Sequence, residues 1–304
     1  MLTLLLHYRT EWSYYFTETN PTKYNSQTYT SRPTLSGSNV YISNCLFISI
    51  TSTSDGGALY LYNSVTNFLV ESTSFFTCKT TGGSWGGAIY FRNSGDGQSV
   101  LHEVCAYDCC SNLHCLFARI EVSDTASSKN YFNYSSISRC VSTISNSNYP
   151  LCLYYGKVCC PSVNISMNKC YYRSGIYCYS FYDSNLVTCS ITYSSFTDNI
   201  AIGYTCILLS RPGANFEIKS CNILRNTQPI GNGEGIIYTD TNLMIEDSCI
   251  LENKGTYIFR QYSSSYTITL SNCTVDLTSN NGYLTTKNTV TKSFILALNH
   301  MSTR

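Results

Sequence analysis

GGALYL at residues 56–61 returns thirty residues later as GGAIYF at residues 86–91. The same beat runs through most of the chain. A Cys or Ser, preceded by a polar pair and followed by an apolar residue, recurs at Cys45, Ser74, Cys105, Ser136, Cys170, Ser195, Cys221, Cys249 and Cys273, at intervals of 24 to 34 residues. In front of most of these anchors lies a strand-like run such as NVYIS, NFLVES, NFEIKS or YTITLSN. Behind them comes a second apolar run such as ALYL, AIYF, CLYY, CILL or IIYT. Both kinds are rich in Tyr, Phe, Ile, Val and Thr and are separated by Gly, Asn, Ser and Asp, which is strand-and-turn chemistry. No long stretch keeps a 3.6-residue period.

A repeat of this length made only of strands excludes most solenoids. A propeller blade needs about 40 residues, and a leucine-rich repeat needs a leucine pattern that is absent. The reading that remains is an all-β, right-handed parallel β-helix of about nine coils, roughly 24–34 residues each. Each strand pairs with its counterpart in the next coil, about 4.8 Å away. Turns project sideways, so their length can vary without breaking the stack. On this reading residues 1–36 are an N-terminal extension that caps the first coil, residues 37–299 are a single repeat domain, and residues 300–304 are a tail.

The glycine motif combined with a downstream F-x-x-N resembles the repeats of chlamydial polymorphic outer-membrane proteins and of similar surface proteins of trichomonad-type protists. The second half of the motif stands at Phe196–Asn199, with related forms at Ile223–Asn226, Ile250–Asn253 and Phe75–Cys78. The likeness covers residues 37 to about 290, and two coils carry the full glycine motif. The C-terminal membrane barrel of the bacterial proteins has no counterpart. The resemblance implies a pectin-lyase-like β-helix and surface or secreted display, and it implies no catalytic residue.

Composition narrows the partners. Charged residues make up 12% and the net charge is +1, so no basic stripe offers itself to a nucleic acid. No apolar run approaches the length of a spanning helix. The apolar start MLTLLL, with no preceding Lys or Arg, is too short for an ordinary secretory signal. The chain therefore reads as cytosolic or as a piece whose targeting segments lie outside it; the surface-protein resemblance favours the second, and an extracellular or cell-surface location.

Cysteine is abundant, at 17 residues. Cys78, Cys109 and Cys140 lie four residues after their anchors, while Cys115, Cys152, Cys178 and Cys206 open the second strand of successive coils. Equivalent positions in a parallel stack point the same way, so both sets read as files of buried thiols. Coil spacing also allows inter-coil disulfides. Cys105, Cys109, Cys110, His114 and Cys115 hold zinc-ligand types, but without a C-x-x-C pair, and the files already account for three of them. No metal site and no cofactor is expected.

Catalysis finds little support. A glycosidase needs two convergent carboxylates, and the one adjacent acidic pair, Glu246-Asp247, lies in a strand whose neighbours face opposite ways. The N-x-D, D-D, G-H-G and R-x-K segments typical of pectin-degrading β-helices are missing. Three residues past the anchors, Asp108, Arg139, Arg173, Asp198, Glu252 and Asp276 read as an outward charged stripe. Asn199 and Asn253, with Asn226 displaced by one, read as an asparagine ladder.

The candidate binding residues are Tyr171, Tyr172, Tyr177, Tyr179 and Tyr182, crowded in CYYRSGIYCYSFYDS. Tyrosines of this kind serve protein and glycan contact. Asn133, Asn164 and Asn272 stand in N-glycosylation sequons, with the first two expected to be modified in preference to the third. Phe294, Ile295, Leu296 and Leu298 form a terminal apolar strand that offers end-to-end self-association. The functional reading is a non-enzymatic surface or secreted repeat protein acting in adhesion or protein/glycan interaction, with a divergent carbohydrate-active β-helix enzyme as the alternative.

Overall fold

The structure is a computed structural model that describes residues 12–18, 20–142, 148–203, 205–229 and 234–291. It is a right-handed parallel β-helix. The first sheet has 11 strands, from Thr22–Asn25 to Tyr283–Lys287. The second also has 11, from Thr28–Tyr29 to Val290–Thr291. The third has 8, from Leu59–Tyr62 to Tyr257–Gln261. Eight coils thus carry all three strands. The stack begins ahead of residue 37, because Thr22–Asn25 pairs with Asn39–Ser43 and Thr28–Tyr29 pairs with Leu46–Ile48. The apolar strand expected at Phe294, Ile295, Leu296 and Leu298 lies outside the described residues, as does the 300–304 tail.

Side chains alternate along each strand, and the inward ones fill one continuous core. In the second sheet the inward file runs through Phe47, Phe75, Ala106, Ile137, Ile165 and Phe196, all fully buried. Phe47 stacks on Phe75 at 4.7 Å between ring centroids, and Tyr29 stacks on Phe47 at 4.8 Å. Burying a phenylalanine contributes roughly 1.5–3 kcal/mol, and repeating it coil after coil makes the stack self-supporting.

The corners explain the anchor pattern and correct its register. Between the first and second sheets each coil turns through one left-handed residue, among them Asn44, Ser72, Glu103, Tyr134, Ser162 and Tyr193, with φ between 44° and 55°. The next residue points inward. There Cys45, Thr73, Ser135, Ser194, Cys221 and Ser248 occupy equivalent places, and several accept the backbone N–H of the preceding coil. Val104 N–H donates to Ser135 Oγ at 2.9 Å, and Cys221 N–H to Ser248 Oγ at 3.0 Å. Cys45, Cys221 and Cys273 therefore belong one position ahead of the true strand starts Leu46, Asn222 and Thr274. Cys170 is displaced further. Its coil is aligned through Asn164, and Cys170 lies in a separate two-stranded ladder, Lys169–Cys170 on Ile200–Ala201. With that shift Arg173 leaves the charged stripe, and Asp276 falls one residue short of it. What remains holds real cross-coil pairs, Asp198 with Arg225 at 2.8 Å and Lys79 with Asp108 at 3.6 Å.

The corner after the second sheet repeats the device. Thr77, Asp108, Arg139, Met167, Asp198, Arg225 and Glu252 are left-handed, and the residue after each is buried. That buried file reads Cys78, Cys109, Cys140, Asn168, Asn199, Asn226 and Asn253. Asn226 is in line rather than displaced, and Asn168 joins the ladder.

The second expected cysteine file does not form. Cys178 points inward, aligned with Leu153 and Leu209, whereas Cys152 is aligned with Arg119 and Tyr177 on the outer face. Cys115 takes the left-handed place held two and one coils earlier by Gly56 and Gly86, and it is bonded to Cys152 across coils. Of the fifteen free cysteines, eleven are buried.

Candidate binding face

Four-residue strands with alternating pattern, LYLY, IYFR, ARIE, LCLY and IYCY, build the middle of the third sheet. Their first and third residues enter the core, so their second and fourth residues face outward. Parallel register stacks these outward residues into two columns. One runs Tyr60, Tyr90, Arg119, Cys152, Tyr177, followed by Leu208, Tyr238 and Arg260. The other runs Tyr62, Arg92, Glu121, Tyr154, Tyr179.

The glycines of GGA make the entrance to this sheet. Gly56 and Gly86 have φ of 64° and 68°, and a Cβ on Gly57 would lie 2.0 Å from the carbonyl oxygen of Gly87. Only glycine allows coils to approach that closely.

Charges on the face are tied to each other and to rings. Glu121 accepts from Arg92 at 3.0 Å and from Arg119 at 2.8 Å. The Arg119 guanidinium lies 3.8 Å from the Trp85 ring centroid and 4.6 Å from that of Tyr154, a cation–π sandwich. Tyr60 and Tyr90 stack at 5.6 Å, and Tyr149 and Tyr177 at 5.1 Å. Burial pushes the Tyr154 and Tyr177 phenols up and Tyr238 up to about 12, so all three stay neutral around neutral pH. His114, 2.6 Å from the Asn148 amide, is held below the usual imidazole range by burial and by the neighbouring Arg119 and Arg173.

Of the five tyrosines named from sequence, Tyr177 and Tyr179 stand on this face. Tyr171 and Tyr172 lie in the turn before that strand, their rings edge to face at 5.0 Å, and Tyr182 is exposed in the loop after it. The five do not form one patch. Sequence reading passed over Tyr60, Tyr90, Tyr154, Trp85 and Arg119, although the alternation within LYLY, IYFR and LCLY marks the tyrosines as outward. Of the three sequon asparagines, Asn133 is 7% exposed, at the end of its strand, whereas Asn164 and Asn272 are exposed. Cys105, Cys109, Cys110, His114 and Cys115 are dispersed: Cys105 is exposed, Cys109 is in the core file and Cys115 is in the disulfide. Among the described residues no group of three or more His, Cys, Asp or Glu is arranged to hold a metal ion. Among them, too, no helix is long and apolar enough to cross a membrane.

Comparison with family models, curated proteins and solved structures returned no significant match.

Proposed function

We propose that this protein is a non-enzymatic, secreted or surface-displayed β-helix that grips a protein or glycan ligand along the tyrosine–arginine face of its third sheet. The observation that carries this reading is the register of that face, which lines up Tyr60, Tyr90, Tyr177 and Tyr238 on one side of one sheet. Rigid rings with neutral phenols supply contact area at low entropic cost. Arginines already paired with Glu121 and with rings add hydrogen-bond donors without making the face strongly charged. The Cys115–Cys152 disulfide, bridging coils within this face, fits an oxidising compartment.

The test is a triple variant, Tyr60→Ser, Tyr90→Ser and Tyr177→Ser, compared with the parent on arrayed glycans and on intact cell surfaces. Retention by the parent and a loss of about tenfold or more in the variant is expected, as for removal of aromatic anchors. Equal retention overturns the reading. Release of reducing ends from a polysaccharide by the parent protein turns it toward the carbohydrate-active alternative.

A further inference from the structure

A second, independent surface lies where the outer face of the first sheet meets the corner that follows it. The short helix Trp12–Tyr15 and the following Phe16 pack on Leu69 and Val100 of that face. Beside the helix runs a groove of about 500 Å³, walled by Tyr14, Tyr131, Tyr134 and Pro161. Its rim continues past Pro161. Tyr134 N–H donates to the Pro161 carbonyl at 2.9 Å, and Ser162 N–H to the Thr192 carbonyl at 2.8 Å. Tyr134, Ser162 and Tyr193 therefore stand at the same corner of three successive coils.

The polar groups of the groove are engaged with their neighbours. Ser72 Oγ donates to the Glu103 carboxylate at 2.7 Å. The Asn133 amide is bonded to the Tyr15 phenol, which stands 3.1 Å from His102 Nδ1. Tyr131 and Cys159 are hydrogen-bonded to each other, and burial holds His102 below the usual imidazole range, so it is neutral. What faces outward is ring surface and phenol O–H. Tyr14, Tyr134 and Tyr193 are 74%, 59% and 68% exposed, and within the described residues their phenols have no hydrogen-bond partner. Tyr134 and Tyr193 also have φ of 51° and 53°, a left-handed conformation held at other corners by Asn44, Ser72, Ser162 and Asn272. Asparagine tolerates it and a bulky ring there is an outlier, so the turn does not by itself call for tyrosine.

Spacing selects the ligand. Two coils separate Tyr134 from Tyr193, about 9.6 Å at the spacing of paired strands. Three residues of polyproline II, one full turn, rise about 9.3 Å. A polyproline II segment laid along the stack thus brings every third residue to a tyrosine. Such a segment makes no internal hydrogen bonds, and its prolines have no N–H. It offers carbonyl acceptors and pyrrolidine rings to a surface that offers phenol donors and ring faces. A glycan, rich in hydroxyl donors, meets a carboxylate and an amide that are already engaged.

We propose that this corner and its groove bind a proline-rich segment of a protein partner in the polyproline II conformation, with prolines three residues apart on Tyr134 and Tyr193.

The experiment titrates the whole chain with an acetylated, amidated nonaproline, followed by ligand-observed magnetic resonance, with a Gly-Ser peptide of equal length and cellohexaose as controls. Saturable binding of nonaproline is expected, at least about tenfold tighter than the Gly-Ser peptide, because a preformed backbone loses little entropy on binding. Tyr134→Asn and Tyr193→Asn, which suit the left-handed corner, each weaken it about fivefold or more. Tyr262→Ser, at an exposed tyrosine outside the groove, leaves it unchanged. Circular dichroism confirms that all three variants keep the parent fold. Absence of saturable binding, equal affinity for the Gly-Ser peptide, tighter binding of cellohexaose, unchanged affinity in either corner variant, or an equal loss in Tyr262→Ser overturns the proposal.

Discussion

The corner after the second sheet is built twice in one molecule, from thiols in the early coils and from amides in the later ones. Cys78, Cys109 and Cys140 occupy the file first, then Asn168, Asn199, Asn226 and Asn253. The backbone is the same in both, a left-handed residue followed by an inward one. What differs is how the buried side chains meet their surroundings. Each asparagine donates through Nδ2 to a carbonyl of the preceding coil, at 3.1 Å to Ile137, 2.8 Å to Ile165, 2.8 Å to Phe196 and 2.7 Å to Ile223. Its Oδ1 accepts the backbone N–H of the coil before, as in Cys140 to Asn168 at 2.9 Å and Asn199 to Asn226 at 3.1 Å. Cys78 and Cys109 reach the equivalent carbonyls of Phe47 and Phe75 at 3.7 Å, through weak sulfur contacts. The thiol half is therefore held by packing, and the amide half by a ladder in which every rung satisfies the next. A rung can be lost cheaply from the first kind and not from the second.

The largest expected effect tests that asymmetry. Asn199→Ala removes the acceptor of the Asn168 N–H and Nδ2 groups and the donor to Ile165. Asn168 Nδ2 keeps its bond to the Ile137 carbonyl, so two buried groups lose their partner, and at about 1–3 kcal/mol for each the loss is about 2–6 kcal/mol. Cys109→Ala, at the equivalent place, costs about 1 kcal/mol, as for other small core truncations. Urea denaturation of both variants measures the difference, and equal costs break the comparison.

Alkaline pH sharpens it. Cys78 is pushed up by its thiol contact with Cys109 and by burial, and Cys109 is pushed up by burial. A folded-state pKa above the unfolded value means the native chain holds protons that the unfolded chain releases. The stability this represents is complete below the ordinary thiol range near 8.5 and is lost as pH rises beyond it. The two thiols together contribute a slope of about 2–3 kcal/mol per pH unit above that range. The double variant Cys78→Ala, Cys109→Ala lowers stability at pH 7 but flattens this slope, whereas no asparagine substitution changes it. Denaturation midpoints measured between neutral and alkaline pH separate the two behaviours.

The smallest effect probes the junction. Cys140 already donates its backbone N–H to Asn168 Oδ1. Cys140→Asn adds a rung whose Oδ1 lies within reach of the Cys109 corner and whose Nδ2 faces Ala106 and Asn168. Stability within about 1 kcal/mol of the parent is expected, because the new amide gains partners for the polar atoms it buries. A loss as large as that of Asn199→Ala means the two halves of the corner differ in backbone as well as in side chain.

The β-helix was legible in the chain because its cause is local and repeated: apolar alternation, turn residues and a period set by one coil. So were the Cys78–Cys109–Cys140 file and most of the asparagine ladder, since both sit a constant distance past a strand. The face was legible only in part. Tyr177 and Tyr179 stand out within the tyrosine-dense CYYRSGIYCYSFYDS, whereas Tyr60, Tyr90 and Tyr154 carry the same alternation in short strands without that local density.

What the sequence by itself determined is the strand content, the parallel stacking and the inward file, because those depend on residue type at a spacing. Only the tertiary structure decided the register across coils, and with it the bond between Cys115 and Cys152, the place of Asn164 over Cys170, and the seat of Trp12 on Leu69 and Val100. The physical reason lies in the turns. Their lengths differ from coil to coil, so no fixed sequence offset predicts which outward residues meet, and backbone hydrogen bonds between coils choose the alignment instead.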